Sequence, residues 1–149
     1  MNTSKNFLDK PKRNGYIFLG VKVLHFVCKL DKNLYRVVME DIASDEVIIT
    51  DEQIEHIKNR HPDDYELFAN FFAEMIRDPD YIIKANKPNT AIVLKEVEFD
   101  GRKLKLILRL KTSADPDEYK NSIITFQHIR EKEWHRVIRN MNILYTKTS

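Results

Sequence analysis

Residues 90–111 read TAIVLKEVEFDGRKLKLILRLK, and this stretch decides the fold. Asp100-Gly101 at its centre is a pair of residues that favours a type I′ turn between two antiparallel strands. A two-residue turn sets Phe99 opposite Arg102, and every further cross-strand pair follows by counting outward. The stretch therefore predicts a β-hairpin with one buried, leucine-rich face. The leucines of that face are Leu104, Leu106, Leu108 and Leu110.

The predicted register also sorts the cations of the hairpin. Lys103 and Lys105 lie opposite glutamates, and such pairs are ordinary sheet stabilisers worth a few tenths of a kcal/mol. Arg109 and Lys111 have no acid opposite them, so they are either solvated charges or a phosphate-binding spot. Lys95 interrupts the apolar face and either extends past a sheet edge or points into a pocket. We prefer the first alternative because a buried lysine needs a partner to stay charged.

The N-terminal third predicts a second hairpin. Residues 1–15 are polar and read as an arm, whereas 16–30 and 34–42 are rich in Val, Ile, Leu, Phe and Tyr on either side of a turn-like Asp-Lys-Asn. We therefore expect an arm and β-hairpin of unassigned role over residues 1–45, followed by the main domain over 46–149.

Helix signals begin directly after a short strand at 47–49. Thr50 and Gln53 form a capping box, so a helix is expected from there to about His61, with a second helix over 64–77. Further strands are predicted at 81–85, 122–128 and 143–146, with a last helix at 130–141. The fold class is α+β, with N-terminal helices packed on one face of a twisted antiparallel sheet and an additional N-terminal β-hairpin.

The composition bounds the class of protein. A chain of 149 residues with 42% hydrophobic and 32% charged residues is expected to fold as one domain with a heavily charged surface. Its 25 Lys and Arg nearly balance 23 Asp and Glu, so an anionic partner needs a local cationic patch. One cysteine, Cys28, predicts no internal disulfide and fits a cytoplasmic setting, and no apolar run predicts a membrane partner.

Three residues at the end of the first helix could carry chemistry. His61 falls on the core-facing side and could simply complement the helix dipole, whereas His56 and Arg60 share the outward face. Ser122 and Thr125 fall on opposite faces of their strand and can meet at one site only if a bulge intervenes. The histidine spacings lack the i, i+4 geometry of a helical zinc site, and no Gly-rich phosphate loop occurs, so no metal or cofactor is predicted.

Four segments together resemble the phage-type nuclease domains of the barnase, EndoU, colicin and RelE-like superfamily. They are VIITDEQIEHI at 47–57, NRHP at 59–62, DPDYI at 78–82 and YKNSIIT at 119–125, within a likeness that covers roughly 46–147. The resemblance implies a helix or two followed by a four-stranded antiparallel sheet with one face open to RNA. It also implies a toxin or phage-encoded effector that cleaves tRNA or mRNA without a metal, leaving a 2′,3′-cyclic phosphate.

The resemblance further implies roles for individual residues. His61 is the first candidate for acid or base because imidazole titrates near neutral pH, and His56 is the second. Arg109 is the candidate for phosphate stabilisation, since its planar guanidinium matches phosphate oxygens. Ser122 and Thr125 complete the catalytic set, and the substrate-binding candidates are Arg60, Lys111, Lys95 and Tyr145.

Two other readings stay open at the level of sequence. A chain with this fold could bind nucleic acid or protein without cutting it, because a fold does not fix a function. The apolar segment 16–42 could also be an interface for a homodimer or for an inhibitor protein.

Overall fold

A computed structural model describes residues 16–19 and 22–148 of the chain, and these residues form an eight-stranded sheet flanked by helices. The strands are β1 Tyr16–Leu19, β2 Lys22–Lys29, β3 Glu46–Thr50, β4 Tyr81–Lys84, β5 Thr90–Glu96, β6 Lys103–Arg109, β7 Asn121–Ile129 and β8 Ile143–Thr146. The helices are α1 Lys32–Tyr35, α2 Asp51–Arg60, α3 Asp64–Phe68, α4 Phe72–Arg77 and α5 Glu131–Asn140, with a 3-10 turn at Ala69–Phe71 between α3 and α4.

The strand order confirms the α+β class and a mostly antiparallel sheet. The strands follow one another as β1-β2-β3-β7-β6-β5-β4-β8, and among the described residues β3–β7 is the parallel pair while the other neighbours are antiparallel. The resemblance implied helices followed by a sheet, but β1, β2 and β3 precede the longer helices in the chain. None of the helices in the described part is long and apolar enough to span a membrane.

Both faces of the sheet are partly covered by helices. The leucine-rich face of β6 packs with α4, Phe68 and Phe126 in the larger of two buried clusters, as its alternation predicts. The opposite face is covered at the β4–β5 end by α5, whose Trp134 and Val137 form a smaller cluster with Leu94. On this face Lys103 and Lys105 pair with Glu131 and Glu133 of α5. Arg109 lies farther along β6, at the end of the strand.

The N-terminal hairpin lies earlier in the chain than the sequence predicts. Its strands are β1 and β2, and the predicted strand at 34–42 is wrong. The carboxylate of Asp31 accepts hydrogen bonds from the backbone nitrogens of Asn33 and Leu34, and this N-cap begins the short helix α1 instead of a hairpin turn.

The predicted continuous helix over 64–77 is also wrong, because the 3-10 turn breaks it. Residues on both sides of the break pack on the same strand: the ring centroids of Phe68 and Phe72 lie 6.1 and 4.7 Å from that of Phe126. Most apolar residues of this segment are buried although the helix is broken, whereas Leu67 is exposed.

The hairpin register differs from the predicted one by two residues. Asp100 and Gly101 have φ of 58° and 60° and the Arg102 nitrogen donates to the Phe99 oxygen at 3.1 Å, so the turn forms as expected. Beyond it, however, the Val97 nitrogen donates to the Arg102 oxygen, so two residues drop out of the ladder. A shift of two keeps every side chain on its predicted face but changes its partner.

Candidate active site

Helix α2 lies beside β7 because β3 pairs with only the start of that strand. The parallel pairing joins Val47 to Asn121 and Ile48 to Ser122, and α2 then continues β3 and contacts β7 farther along. The capping box is confirmed: Thr50 Oγ1 accepts from the Gln53 nitrogen at 3.1 Å, and Gln53 Oε1 accepts from the Thr50 nitrogen at 3.1 Å. The box fixes the direction in which the helix leaves the strand.

A bulge in β7 brings the two hydroxyl residues to one face. Ile107 pairs with Thr125, but Leu108 pairs with Ile123, so Ile124 is the extra residue. Because Arg109 pairs with Ser122, both Ser122 and Thr125 lie on the face that also carries Ile107 and Arg109. The sequence predicted that Ser122 and Thr125 could lie on one face only if a bulge intervened, and this bulge is present.

The end of α2 and this face of the sheet line one cavity of about 210 Å³. From α2 and its C-terminal cap come His56, Arg60 and His61. From the sheet come Lys105, Ile107, Thr125, Phe126 and Gln127. The predicted motif residues therefore meet Thr125, although helical spacing alone put His56 and His61 on different sides of the helix. His61 is the non-helical cap residue, with φ of −137°, which releases it from that spacing.

A second cavity of about 410 Å³ adjoins the first and shares His61 and Gln127 with it. Its other polar walls are His128, Arg130, Lys132, Glu133 and Arg136. Burial lowers the pKa of His128, and the positive charge of Arg102 lowers it further against the opposing effect of Asp64. His128 therefore favours the neutral form beside a group of cations.

Sequence reasoning missed two polar residues of the first cavity, Lys105 and Gln127. Lys105 was assigned to a cross-strand glutamate; it lies opposite Leu94, and its Nζ donates to Glu133 Oε2 at 3.5 Å. Gln127 lies opposite Lys105. Strand alternation already put Gln127 on the face of Thr125, and this was the available signal.

Arg109 lies on the same face but not in the histidine cavity. It lines neighbouring cavities of about 550 and 200 Å³, the second of which also includes Ser122. Across the strands Arg109 faces Thr90 and Ser122, which are not acids, as predicted. Asp115 nevertheless accepts from its two terminal nitrogens at 3.0 Å each, so Arg109 is not a free charge. Asp115 lies in the loop after β6, so the cross-strand register of the hairpin could not predict this contact. This pairing holds the pKa of Asp115 at about 2.

Three other predicted residues do not join the histidine cavity. Lys111 Nζ donates to the Asp117 oxygen at 2.9 Å. Tyr145 pairs with Ile82 and packs against the larger cluster, on the leucine-rich side of the sheet. Lys95 is buried on that same side rather than extending past an edge.

Lys95 has acidic partners in its buried position. Its Nζ donates to the Asp78 carbonyl oxygen at 2.6 Å and to the Asp78 carboxylate at 3.3 Å, and Glu74 lies 3.8 Å away. The pocket alternative is therefore correct for Lys95, but this pocket is filled by the protein's own acids.

Two imidazoles, a guanidinium, an ammonium and a hydroxyl around one cavity are the groups that a phosphodiester-cleaving protein needs. Within the described residues no three His, Cys, Asp or Glu side chains are grouped as metal ligands. The chain belongs to the family described as phage-Barnase-EndoU-ColicinE5/D-RelE like nuclease2, whose model matches residues 26–146. The resemblance seen in the sequence is confirmed, and the match begins within β2. Neither a curated protein nor a solved structure matches the chain.

Proposed function

We propose that this nuclease-family protein is an endoribonuclease that cleaves RNA through the ribose 2′-hydroxyl without a metal. The observation that carries the proposal is the cavity in which His56 and His61 face Lys105 and Thr125. Two imidazoles at one cavity can supply both a base and an acid at neutral pH. The cations beside them suit an anionic phosphorane.

The proposed reaction transfers one proton in each direction. One imidazole takes the proton of the 2′-hydroxyl while the 2′-oxygen forms a bond to phosphorus. The other gives a proton to the 5′-oxygen as its bond to phosphorus breaks, leaving a 2′,3′-cyclic phosphate and a 5′-hydroxyl. We assign His61 and His56 to these two roles.

The other cavity residues would bind the phosphate. Arg60 is exposed and has no ion pair among the described residues, so its guanidinium is available to two phosphate oxygens. Lys105 adds charge but shares it with Glu133. Thr125 and Gln127 can donate hydrogen bonds. Arg109 and Ser122, on the same face beyond Ile107, would bind the adjacent nucleotide.

The test is to incubate the protein with total RNA in EDTA and to analyse the fragment ends. We expect cyclic-phosphate ends and a loss of about 100-fold or more in rate for His61→Ala and for His56→Ala, since general acid–base groups contribute about 10² to 10⁴. His135→Ala is the matched control, because His135 is exposed on α5 and pairs with Glu131 at 3.0 Å. Cleavage that stops in EDTA, or that survives both substitutions, contradicts the proposal.

A second candidate function is RNA binding without cleavage. Two observations favour it. Lys105 and Arg109 are already engaged by Glu133 and Asp115, and none of the described residues that line the histidine cavity carries a carboxylate that could act as a base. Under this alternative the protein retards RNA on a gel with strong salt dependence, yet the RNA stays intact.

A further inference from the structure

A cavity of about 200 Å³ lies on the far side of the β7 bulge from the main contacts of α5, between β3, the start of α2 and the loop before β7. Ile48 and Ile124 form apolar wall. Gln53 and Ser122 supply polar groups, and Arg109 and Tyr119 also line the cavity. The cavity thus combines a flat apolar surface with a few directed polar atoms, as small-molecule sites do.

The amide of Gln53 has a fixed orientation in this cavity. A backbone N–H can only donate, so the oxygen of Gln53, not its nitrogen, must face the Thr50 nitrogen. Ser122 Oγ donates to that same oxygen at 3.2 Å. The Gln53 nitrogen has no hydrogen-bond acceptor among the described residues, so two N–H donors remain for a ligand that presents an oxygen or nitrogen acceptor.

Tyr119 supplies an aromatic surface at the same place. It is 43% exposed, which is high for a large apolar side chain, and it has no ring partner among the described aromatic contacts. Exposed aromatic rings beside a guanidinium are how proteins hold unpaired bases of single-stranded nucleic acid. The carboxylate of Glu118 also lines the cavity and can accept a hydrogen bond.

We propose that this cavity binds one unpaired nucleobase of the RNA, with Tyr119 stacking on the base and Gln53 donating to a ring carbonyl oxygen. The inference rests on the proposed function, since it names the nucleotide that the site selects beside the cleaved bond. A donor from Gln53 and an acceptor from Glu118 match a carbonyl next to a ring N–H. Uracil and guanine carry that pair, whereas cytosine and adenine have no carbonyl next to a ring N–H.

Gln53→Glu separates recognition from folding. Glutamate serves equally in a capping box, so the carboxylate still accepts from the Thr50 nitrogen and from Ser122. The substitution removes the N–H donors and leaves only acceptors. Asn70→Asp is the matched control, because it makes the same amide-to-carboxylate change at an exposed residue of the 3-10 turn. This turn lies on the leucine-rich side of the sheet, away from the cavity.

The experiment titrates the full chain with uridine and cytidine 3′-monophosphates and follows binding by NMR, which does not require cleavage. We expect the unmodified protein and Asn70→Asp to prefer the uridine nucleotide by about tenfold, the effect of one well-placed hydrogen bond. Gln53→Glu should lose or reverse that preference at an unchanged melting temperature. Tyr119→Ala should weaken both nucleotides by about tenfold or more.

The outcomes separate the two proposals. Nucleotide binding with the expected preferences, together with intact RNA in EDTA, leaves the base site standing and overturns cleavage. Cleavage with no nucleotide binding, or with the same uridine-to-cytidine ratio in Gln53→Glu as in the unmodified protein, overturns the base site. A Gln53→Glu variant that fails to fold is replaced by Tyr119→Ala, whose unchanged binding would also overturn it.

Discussion

A single carboxylate limits how Arg109 can bind a phosphate. The two 3.0 Å contacts with Asp115 engage both terminal nitrogens of its guanidinium. Asp115 also accepts from the Thr112 nitrogen at 2.8 Å, so the acid is anchored to its own loop. An RNA phosphate at this guanidinium must share it with an acid that is already hydrogen-bonded. Arg109 is therefore better suited to position a nucleotide than to carry the charge of the transition state.

The pH dependence of stability should reveal this pair. The pKa of Asp115 is about 2 in the folded chain, below its ordinary value of 3.8, so the pair stabilises the fold above about pH 4. That stabilisation is lost as the pH falls from about 4 toward 2. We expect Asp115→Asn to lower the free energy of unfolding by about 1 to 2 kcal/mol at neutral pH, a figure reduced for partial exposure of the pair.

Denaturant unfolding of both proteins from pH 7 to pH 2 measures this effect. The difference between the unmodified protein and Asp115→Asn should be constant above about pH 5 and should shrink below pH 4. A difference that stays the same down to pH 2 would show that the Asp115 carboxylate does not carry it.

Lys95 is expected to contribute to stability rather than to substrate binding. Its side chain is 6% exposed and lies against Asp78 and Glu74, whose side chains are about half exposed. Removing one partner of a buried pair costs about 3 to 5 kcal/mol, and half-exposed acids reduce this, so Lys95→Ala should cost about 2 kcal/mol. The cleavage rate per folded molecule should not change.

Lys147→Ala is the matched control for Lys95. Lys147 binds the same Asp78 carboxylate at 2.8 Å but is 39% exposed, so its removal should cost less than the removal of Lys95. Urea unfolding and RNA cleavage, measured on both variants, decide the matter. If Lys95→Ala impairs cleavage while leaving stability intact, Lys95 belongs with the substrate after all.

At the scale of elements, the β5–β6 hairpin depends on one glycine. Gly101 has φ of 60°, and a Cβ added there would lie 3.3 Å from Glu96 Oε2. An L side chain in this conformation costs about 1 to 2 kcal/mol, and we expect Gly101→Ala to lower the free energy of unfolding by that amount. Thermal or urea unfolding measures it.

Asp100→Asn serves as the control for the turn. Asp100 also has positive φ, at 58°, and asparagine adopts this conformation readily, so its replacement should change stability by less than about 0.5 kcal/mol. Equal destabilisation by the two substitutions would mean that the turn conformation is not what makes Gly101 necessary.

Elements with strong local signals were predicted well from the sequence. The capping box at Thr50 and Gln53 begins α2 where it was expected, and alternation in β6 buries the predicted leucines. The register of the same hairpin was wrong by two residues, because the pairing beyond a turn depends on how the strands pack. A register shift of two residues leaves each side chain on the same face of the sheet. The sequence could therefore predict the face of each residue but not its cross-strand partner.

At the scale of the whole molecule, the candidate site depends on an arrangement that no local pattern contains. His56, Arg60 and His61 come from two adjacent sequence segments, but their meeting with Thr125 requires α2 to lie beside β7. Arg109 and Lys105 lie in the β5–β6 hairpin, but their partners Asp115 and Glu133 come from a loop and from α5. Long-range contacts of this kind decided which predicted residues share a cavity.

The parallel β3–β7 pair also has a consequence for how the molecule forms. Val47 and Asn121 are neighbours in the sheet although 74 positions separate them in the chain (121 − 47), and the histidines of α2 reach their cavity only beside that pairing. Contacts between such distant residues require the closure of long loops, and chains dominated by them fold slowly. Local hairpins and α2 can arise early, whereas the cavity requires this long-range closure. A chain that has folded only in part, such as one still being synthesised, is therefore expected to lack the assembled site.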